Sequence, residues 1–148
     1  MKPAKTLVSP PDLESATETY ATMNDVMALW GMKAVPRRGG TPLNGEILVW
    51  FPWLIDNDDA SREWKNERSD DGEIIRETAK SGAPNEPEIP EQPLRLVFAK
   101  VRPSGGKYVF AGLFRYDAEA SAKSSALRVW RRVSDRFPAI SPVMASQK

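Results

Sequence analysis

Three alternating residues near the C-terminus, Arg128, Trp130 and Arg132, have side chains well suited to binding chemistry. They fall on one side of residues 127–133, whose alternation of apolar and polar positions predicts a β-strand. Guanidinium groups bind phosphates, and an indole offers a flat surface on which a base can stack. The pattern indicates a nucleic-acid-binding face. It fits equally a solvent-facing strand whose tryptophan is covered by the arginine side chains.

Four aromatic side chains are candidates to stack on or enclose a base: Trp50, Trp53, Tyr116 and Trp130. The first two lie at and just beyond the end of a predicted strand, residues 46–51, which Pro52 stops. Tryptophan is costly to leave in water. These two rings therefore either seal the core or line a flat-walled pocket.

Basic residues concentrate in the C-terminal half of the chain. Residues 94–137 hold ten basic and three acidic residues, whereas residues 54–92 hold twelve acidic and five basic ones. Such asymmetry predicts two surfaces of opposite sign, of which the positive one favours an anionic partner. Salt bridges between the two segments would produce the same pattern. The candidate phosphate contacts are Arg102, Lys107, Arg128, Arg131 and Arg132.

The chain contains neither cysteine nor histidine, which excludes most familiar enzyme chemistry within it. Thiolate nucleophiles, zinc sites built on Cys or His, and Ser-His-Asp triads are impossible. Asp56, Asp58 and Glu67 have the spacing of calcium-loop ligands, but Ala60 and Ser61 occupy positions that require a ligand and a glycine. We therefore expect no catalytic residues, no metal and no cofactor.

The clearest structural signal is a hairpin over residues 94–117. Residues 94–102 and 107–116 have β-strand composition, and the Pro-Ser-Gly-Gly cluster between them predicts a tight turn. Gly112, in the middle of the second strand, predicts a bulge, a bend or a close approach of another backbone. Simple alternation places four aromatic residues on one face of that strand: Tyr108, Phe110, Phe114 and Tyr116.

Helices are predicted in three places. Residues 11–32 show apolar side chains at helical spacing, and Gly31 is well placed to end that helix. Residues 69–73 resemble a helix start, and Asp117 is a suitable cap for a short helix after the hairpin. Residues 1–10 are expected to form a flexible arm and residues 138–148 a loose tail.

These elements predict a single α+β domain spanning residues 1–148. Its core is expected to be a small, barrel-like mixed β-sheet over residues 45–135, with the N-terminal helix and short helices packed on it. The chain has 41% hydrophobic and 28% charged residues, and no apolar run reaches the length of a membrane span. The N-terminus also lacks the apolar stretch of a signal peptide, so we expect a cytoplasmic protein without membrane contacts.

Residues 45–135 resemble the small β-barrel reader domains of the PUA-like superfamily, which include SRA and EVE domains. The resemblance rests on a strand with Trp50, an acidic insert with Trp64 and Asp71-Gly72, and the segments VFAK (97–100), YVFAGLFRYD (108–117) and RVWRRVSD (128–135). Such domains bind DNA or RNA, and several hold a modified or flipped base between aromatic side chains. The resemblance implies that Trp50, Trp53, Tyr116 or Trp130 lines a base pocket.

The sequence thus favours a non-enzymatic nucleic-acid-binding domain, with DNA as the expected partner and a separate nuclease as a further one. An alternative hypothesis is a protein-interaction module or inhibitor that docks through its acidic segment, such as a defence or counter-defence factor.

Overall fold

The strands and helices are known for most of the chain from a computed structural model, which describes residues 6–10, 13, 16–35, 40–54, 64–79, 93–100, 107–121 and 127–138. The strands are β1 (Thr6–Val8), β2 (Thr41–Pro42), β3 (Ile47–Trp50), β4 (Trp64–Arg68), β5 (Ile74–Ala79), β6 (Leu94–Lys100), β7 (Tyr108–Tyr116), β8 (Leu127–Ser134) and β9 (Arg136–Pro138). The helices are α1 (Met23–Met27), the 3₁₀ helix Ala28–Trp30 directly after it, and α2 (Ala118–Ser121).

Seven strands form one sheet in the order β2-β3-β6-β7-β8-β5-β4. All neighbours are antiparallel except β3 and β6, which are parallel, so the predicted mixed sheet with short helices is confirmed. Strands β2 and β4 occupy the two edges, and within the described ranges no pairing joins them. The sheet is open, and the predicted barrel-like closure is not confirmed.

The two faces of the sheet bury different sets of side chains. Phe98 of β6 packs edge-on against Trp30, with ring centroids 6.3 Å apart, on the face covered by α1 and the 3₁₀ helix. Its neighbour Val97 points to the opposite face and packs in a second cluster with Ile75 and Trp130. This alternation follows from the period of two along a strand.

Residues 16–22 of the helix predicted over residues 11–32 are not helical. Thr22 accepts a hydrogen bond from the N–H of Asp25, whose carboxylate accepts one from the N–H of Thr22, and this capping box starts α1 at Met23. Before it, Tyr20 exchanges two backbone hydrogen bonds with Tyr108 of β7. Pairing with the sheet therefore overrides the apolar periodicity, whereas the predicted stop at Gly31, with φ of 67°, is correct.

The N-terminal residues contribute to the structure where a flexible arm was expected. β1 pairs with β9, and Leu7 is 2% exposed. Burial of this leucine explains why the segment is held in place. Residues 1–5 and most of the predicted tail, residues 139–148, lie outside the described part of the chain.

The predicted helix start at residues 69–73 is a hairpin turn between β4 and β5. The backbone N–H of Ser69 donates to the carbonyl of Ile74, and Asp71 accepts from the N–H of Glu73. Gly72 has φ of 74°, a left-handed conformation that suits a turn and not a helix interior. The segment 74–79 is accordingly a strand.

The predicted irregularity at Gly112 is confirmed as a bulge. Val97 pairs with Gly112 but Phe98 pairs with Phe110, so one extra residue is inserted in β7. The insertion reverses the alternation beyond it. Phe114 and Tyr116 therefore lie on the opposite face from Phe110, which corrects the expectation that these aromatic side chains share a face.

Candidate nucleic-acid site

Five consecutive strands of the sheet, β3-β6-β7-β8-β5, each contribute one side chain to a cluster on the face opposite α1. We call it the central cluster, and its members are Trp50 of β3, Arg95 of β6, Tyr116 of β7, Trp130 of β8 and Glu77 of β5. It combines three aromatic rings with one buried cation and one buried carboxylate. Such a mixture is unusual for a core, because charged side chains are seldom buried unless paired.

Two rings of the central cluster, Trp50 and Trp130, contact the guanidinium group of Arg95. The Trp130 ring centroid lies 5.8 Å from that of Trp50 and 5.3 Å from that of Tyr116. The Arg95 guanidinium carbon is 3.9 Å from the Trp130 centroid and 4.7 Å from the Trp50 centroid. These distances are those of cation–π contacts, which strengthen when the cation is removed from water.

Glu77 connects the cation to an indole. Its Oε1 atom accepts a 2.9 Å hydrogen bond from Nε1 of Trp130 and a 3.5 Å bond from Nη1 of Arg95. The side chains of Arg95 and Glu77 are 6% and 10% exposed. One carboxylate oxygen therefore satisfies two buried donors.

The contact between Arg95 and Glu77 shows that the sheet is curved. Their strands, β6 and β5, are separated by two others, so a flat sheet would hold them about 14 Å apart. Their charged atoms nevertheless meet at 3.5 Å. We therefore call the face that carries the central cluster the concave face, and the face covered by α1 the convex face.

The charge of Arg95 is only partly compensated. Burial, opposed by Glu77 and reinforced by the positive charge of Arg128, lowers the pKa of Arg95 to about 10. Nε of Arg95 is buried and finds no hydrogen-bond partner in the described ranges. The guanidinium group is thus held in an environment that penalises its charge.

The structure brings together three of the four predicted aromatic residues. Trp50, Tyr116 and Trp130 belong to the central cluster, whereas Trp53 lies against Lys100, whose Nζ is 4.3 Å from its ring. The expected open Arg-Trp-Arg face is wrong for the indole, because Trp130 is 0% exposed. Pairing with Glu77 and packing among the other rings enclose it.

The predicted basic residues divide between the two faces of the sheet. Arg128 is half-buried on the concave face, where it pairs in register with Glu77. Arg132 donates to Glu73 at 3.1 Å, and its stem packs against Gly112. Lys107 is exposed immediately before β7, and Arg102 lies outside the described residues.

Arg131 has a different setting. It lies on the convex side, directly opposite Arg115 in register, and is 56% exposed. Its Nε donates to Asp117. The pKa of Asp117 is lowered, first by a hydrogen bond from the N–H of Ala120 and then by Arg131. The same carboxylate caps α2, as the sequence predicted.

Sequence reasoning missed Arg95 and Glu77. Arg95 shares strand parity with the apolar Val97, which was a signal that a charged side chain would point into the core. Glu77 follows residues 69–73, which resemble a helix start, so its pairing with β8 was not anticipated.

Two further features concern other classes of function. The described residues contain no group of three or more Asp or Glu side chains placed to hold a metal ion. No helix in the described ranges has the length and apolarity required to cross a membrane.

Comparison with known proteins identifies the class to which this fold and cluster belong. The family of SET and RING associated (SRA) domains matches residues 15–139. The chain is a member of the SRA family, and the resemblance to PUA-like reader domains is confirmed. SRA domains bind DNA, so the chain belongs to a family of DNA-binding domains.

Among solved structures, the 5-hydroxymethylcytosine-specific restriction enzyme AbaSI is similar to this chain, with 28% sequence identity and a TM-score of 0.67. The similarity covers 84% of this chain and 41% of the AbaSI chain, so the chain spans less than half of that enzyme. No curated protein matches the sequence. None of these comparisons supports the alternative of an acidic interaction module or inhibitor.

Proposed function

We propose that this domain is a non-enzymatic reader of DNA that recognises a modified base, with a modified cytosine as the first candidate. Membership of the SRA family supports DNA binding. The similarity to a 5-hydroxymethylcytosine-specific enzyme supports the choice of base. Recognition inside a protein pocket requires the base to leave the duplex stack, and aromatic side chains commonly hold such a base.

The observation that carries this proposal is the convergence of Trp50, Tyr116 and Trp130 around one charged pair on the concave face. Aromatic rings supply stacking surfaces, and the Glu77 carboxylate supplies hydrogen-bond acceptors for a base edge. The three rings come from strands that are far apart in sequence. A functional role for their assembly is favoured by the charged pair, which a purely structural core would not need.

The phosphate backbone is the second component of the proposed interaction. Arg128 lies on the concave face beside the central cluster, Arg132 lies on the same strand, β8, and Lys107 is exposed immediately before β7. Of the other two residues expected from the sequence, Arg131 lies on the opposite, convex side and Arg102 lies outside the described residues. Cations of this kind contribute sequence-independent affinity that falls steeply with salt. In this arrangement the central cluster recognises the base, and the arginines position the domain on the duplex through phosphate contacts.

Cleavage, if it accompanies recognition, is assigned to a separate nuclease domain or subunit. The AbaSI enzyme has more than half of its chain outside the region of similarity. A reader that delivers a nuclease to modified DNA is consistent with that arrangement.

The proposal is tested by measuring fluorescence anisotropy of duplexes that carry one cytosine, 5-methylcytosine or 5-hydroxymethylcytosine at the same position. We expect a preference for a modified base that persists at physiological salt, together with weak, salt-sensitive binding to the unmodified duplex. Equal affinity for all three duplexes would overturn base recognition. Absence of binding at low salt would overturn DNA binding itself.

Two tryptophan variants, one inside and one outside the central cluster, test whether the modified base binds at the cluster. Trp50→Leu removes a ring of the central cluster and is expected to weaken binding to the preferred duplex by about tenfold or more, the usual effect of a lost base-stacking ring. Trp53→Leu removes the same side chain from outside the cluster and should leave the preference unchanged. Circular dichroism and the thermal midpoint of each variant establish that the fold is retained.

A further inference from the structure

The guanidinium group of Arg95 covers the faces of two indole rings, those of Trp50 and Trp130. It lies 3.9 Å from the Trp130 ring centroid and 4.7 Å from that of Trp50. A guanidinium group is planar and stacks on aromatic faces as a base does. We call the space over the faces of these two indoles the slot. Arg95 and Trp130 are 5% and 0% exposed, so the slot is full and closed.

Arg95 is held there by few polar contacts. Among the residues that the structure describes, one carboxylate, that of Glu77, approaches it at 3.5 Å, which is long for a charge-assisted hydrogen bond. Its Nε has no partner in the described part of the chain, and Arg128 adds like charge nearby. A buried cation with this little compensation is costly, so an alternative position in water is within energetic reach.

The walls of the slot do not depend on Arg95 alone. Trp130 is anchored through its Nε1–H to Glu77, and it also contacts Tyr116. Trp50 is fixed by the register of β3 against β6. Arg95 itself is the second residue of β6, so its side chain can swing toward the end of the sheet by rotation about its own χ angles.

We propose that Arg95 is a built-in occupant of the base-binding slot, and that an incoming base displaces it from the faces of Trp50 and Trp130. This inference rests on the proposed function, because it concerns the same cluster. One planar group replaces another, and the released guanidinium group becomes available to a DNA phosphate. The closed form keeps the indoles covered when no DNA is bound.

Displacement has a measurable consequence for affinity. If only part of the free protein has an empty slot, the apparent dissociation constant exceeds the intrinsic one by the inverse of that fraction. Removing the occupant should therefore strengthen binding of a base that is already unpaired. A residue that instead reads the base directly would weaken binding when removed.

The first test concerns the slot without DNA. In Arg95→Ala, free guanidinium ion should refill the space and raise the thermal midpoint, at concentrations far below the molar range in which it denatures proteins. Sodium chloride at equal ionic strength and wild-type protein serve as controls, and neither should show the rise. An equal response of variant and wild type to guanidinium would overturn the existence of a refillable slot. The double variant Arg95→Ala/Glu77→Gln avoids leaving a buried carboxylate unpaired if the single variant folds poorly.

The second test concerns the base. With a duplex that carries the preferred modified base in a mismatch, the Arg95 variant is expected to bind at least about threefold more tightly than wild type. Guanidinium ion should weaken this binding competitively in the variant and not in wild type. A folded variant that binds less tightly than wild type would overturn the displacement role and leave the proposed function intact. If wild type binds no duplex, the proposed function and the displacement both fail, whereas the guanidinium result still decides whether the slot exists.

Discussion

The indole N–H of Trp130 donates a 2.9 Å hydrogen bond to Oε1 of Glu77, and both residues are buried on the concave face of the sheet. They lie on neighbouring strands, β8 and β5, but 53 positions apart in the sequence. The same oxygen faces the guanidinium group of Arg95. Glu77 therefore pairs with both one aromatic ring and one buried cation.

Replacement of Glu77 should be strongly destabilising. Glu77→Ala leaves the Arg95 charge and the Trp130 N–H buried without their partner, and we expect a loss of about 3–5 kcal/mol in the free energy of unfolding. Glu77→Gln keeps an acceptor for the indole and should lose less. Urea unfolding followed by tryptophan fluorescence measures both values.

The control is Glu67→Gln, on the exposed side of β4, which should change stability by less than about 0.5 kcal/mol. Similar losses for Glu67 and Glu77 variants would contradict the buried pairing.

The central cluster illustrates what strand patterns in the sequence can and cannot reveal. Composition identified the strands that carry Trp50, Tyr116 and Trp130, which were three of the four candidate pocket residues. Strand composition does not determine which strands become neighbours. That order depends on long-range pairing, so the approach of Arg95 to Glu77 could not be derived from it.

Errors at the N-terminus and in the β4–β5 turn have a common cause. Residues 11–22 and 69–73 carry local helix signals, but the observed structure uses backbone groups of Tyr20 and Ser69 in pairings with β7 and Ile74. Tertiary hydrogen bonds and burial outweigh helix propensities, which are worth only tenths of a kcal/mol per residue. Gly31 and Asp117 were assigned correctly because a helix stop and a helix cap are determined by local chemistry.

Gly112→Ala should destabilise the protein through the bulge in β7. Gly112 has φ of 128°, and an added Cβ would lie 2.7 Å from Cδ of Arg132 and 3.0 Å from the carbonyl oxygen of Ser134. We expect a loss of about 1–3 kcal/mol, measured by urea unfolding. Gly45→Ala is the matched control, because an added Cβ there meets no atom within 4 Å. Equal effects at the two glycines would argue against a strained position at Gly112.

The stability of the protein should decrease between pH 10 and pH 12 because of Tyr20. Burial, followed by the charge of Glu18, raises the pKa of Tyr20 from 10.0 to about 12. The folded state then keeps a proton that the unfolded state loses, so the free energy of unfolding falls as the pH rises through this range and is unaffected below it. Ultraviolet titration of tyrosinate and urea unfolding at several pH values measure the effect. In Tyr20→Phe the tyrosine that ionises near pH 12 should be absent from the titration. The free energy of unfolding should then fall less between pH 10 and pH 12. If tyrosinate titration of wild type and of Tyr20→Phe gave the same midpoint, the raised pKa of Tyr20 would be contradicted.

Arg128 should contribute to the salt dependence of DNA binding. It lies on the concave face beside the central cluster, so a duplex engaged there brings a phosphate within its reach. Arg128→Gln is expected to reduce the slope of log K against log salt concentration by about 0.9, the contribution of one phosphate contact. Fluorescence anisotropy of an unmodified duplex over a series of salt concentrations gives the slope.

Arg76→Gln provides the control for long-range electrostatics. Arg76 is exposed on β5, and the alternation along that strand places it on the opposite face from Glu77. Both substitutions change the net charge by the same amount, so any general effect of charge is common to them. A slope reduced by Arg128→Gln and unchanged by Arg76→Gln would place the duplex on the concave face. Equal reductions would show that the arginines act only through net charge, and a reduction confined to Arg76→Gln would place the duplex on the convex face.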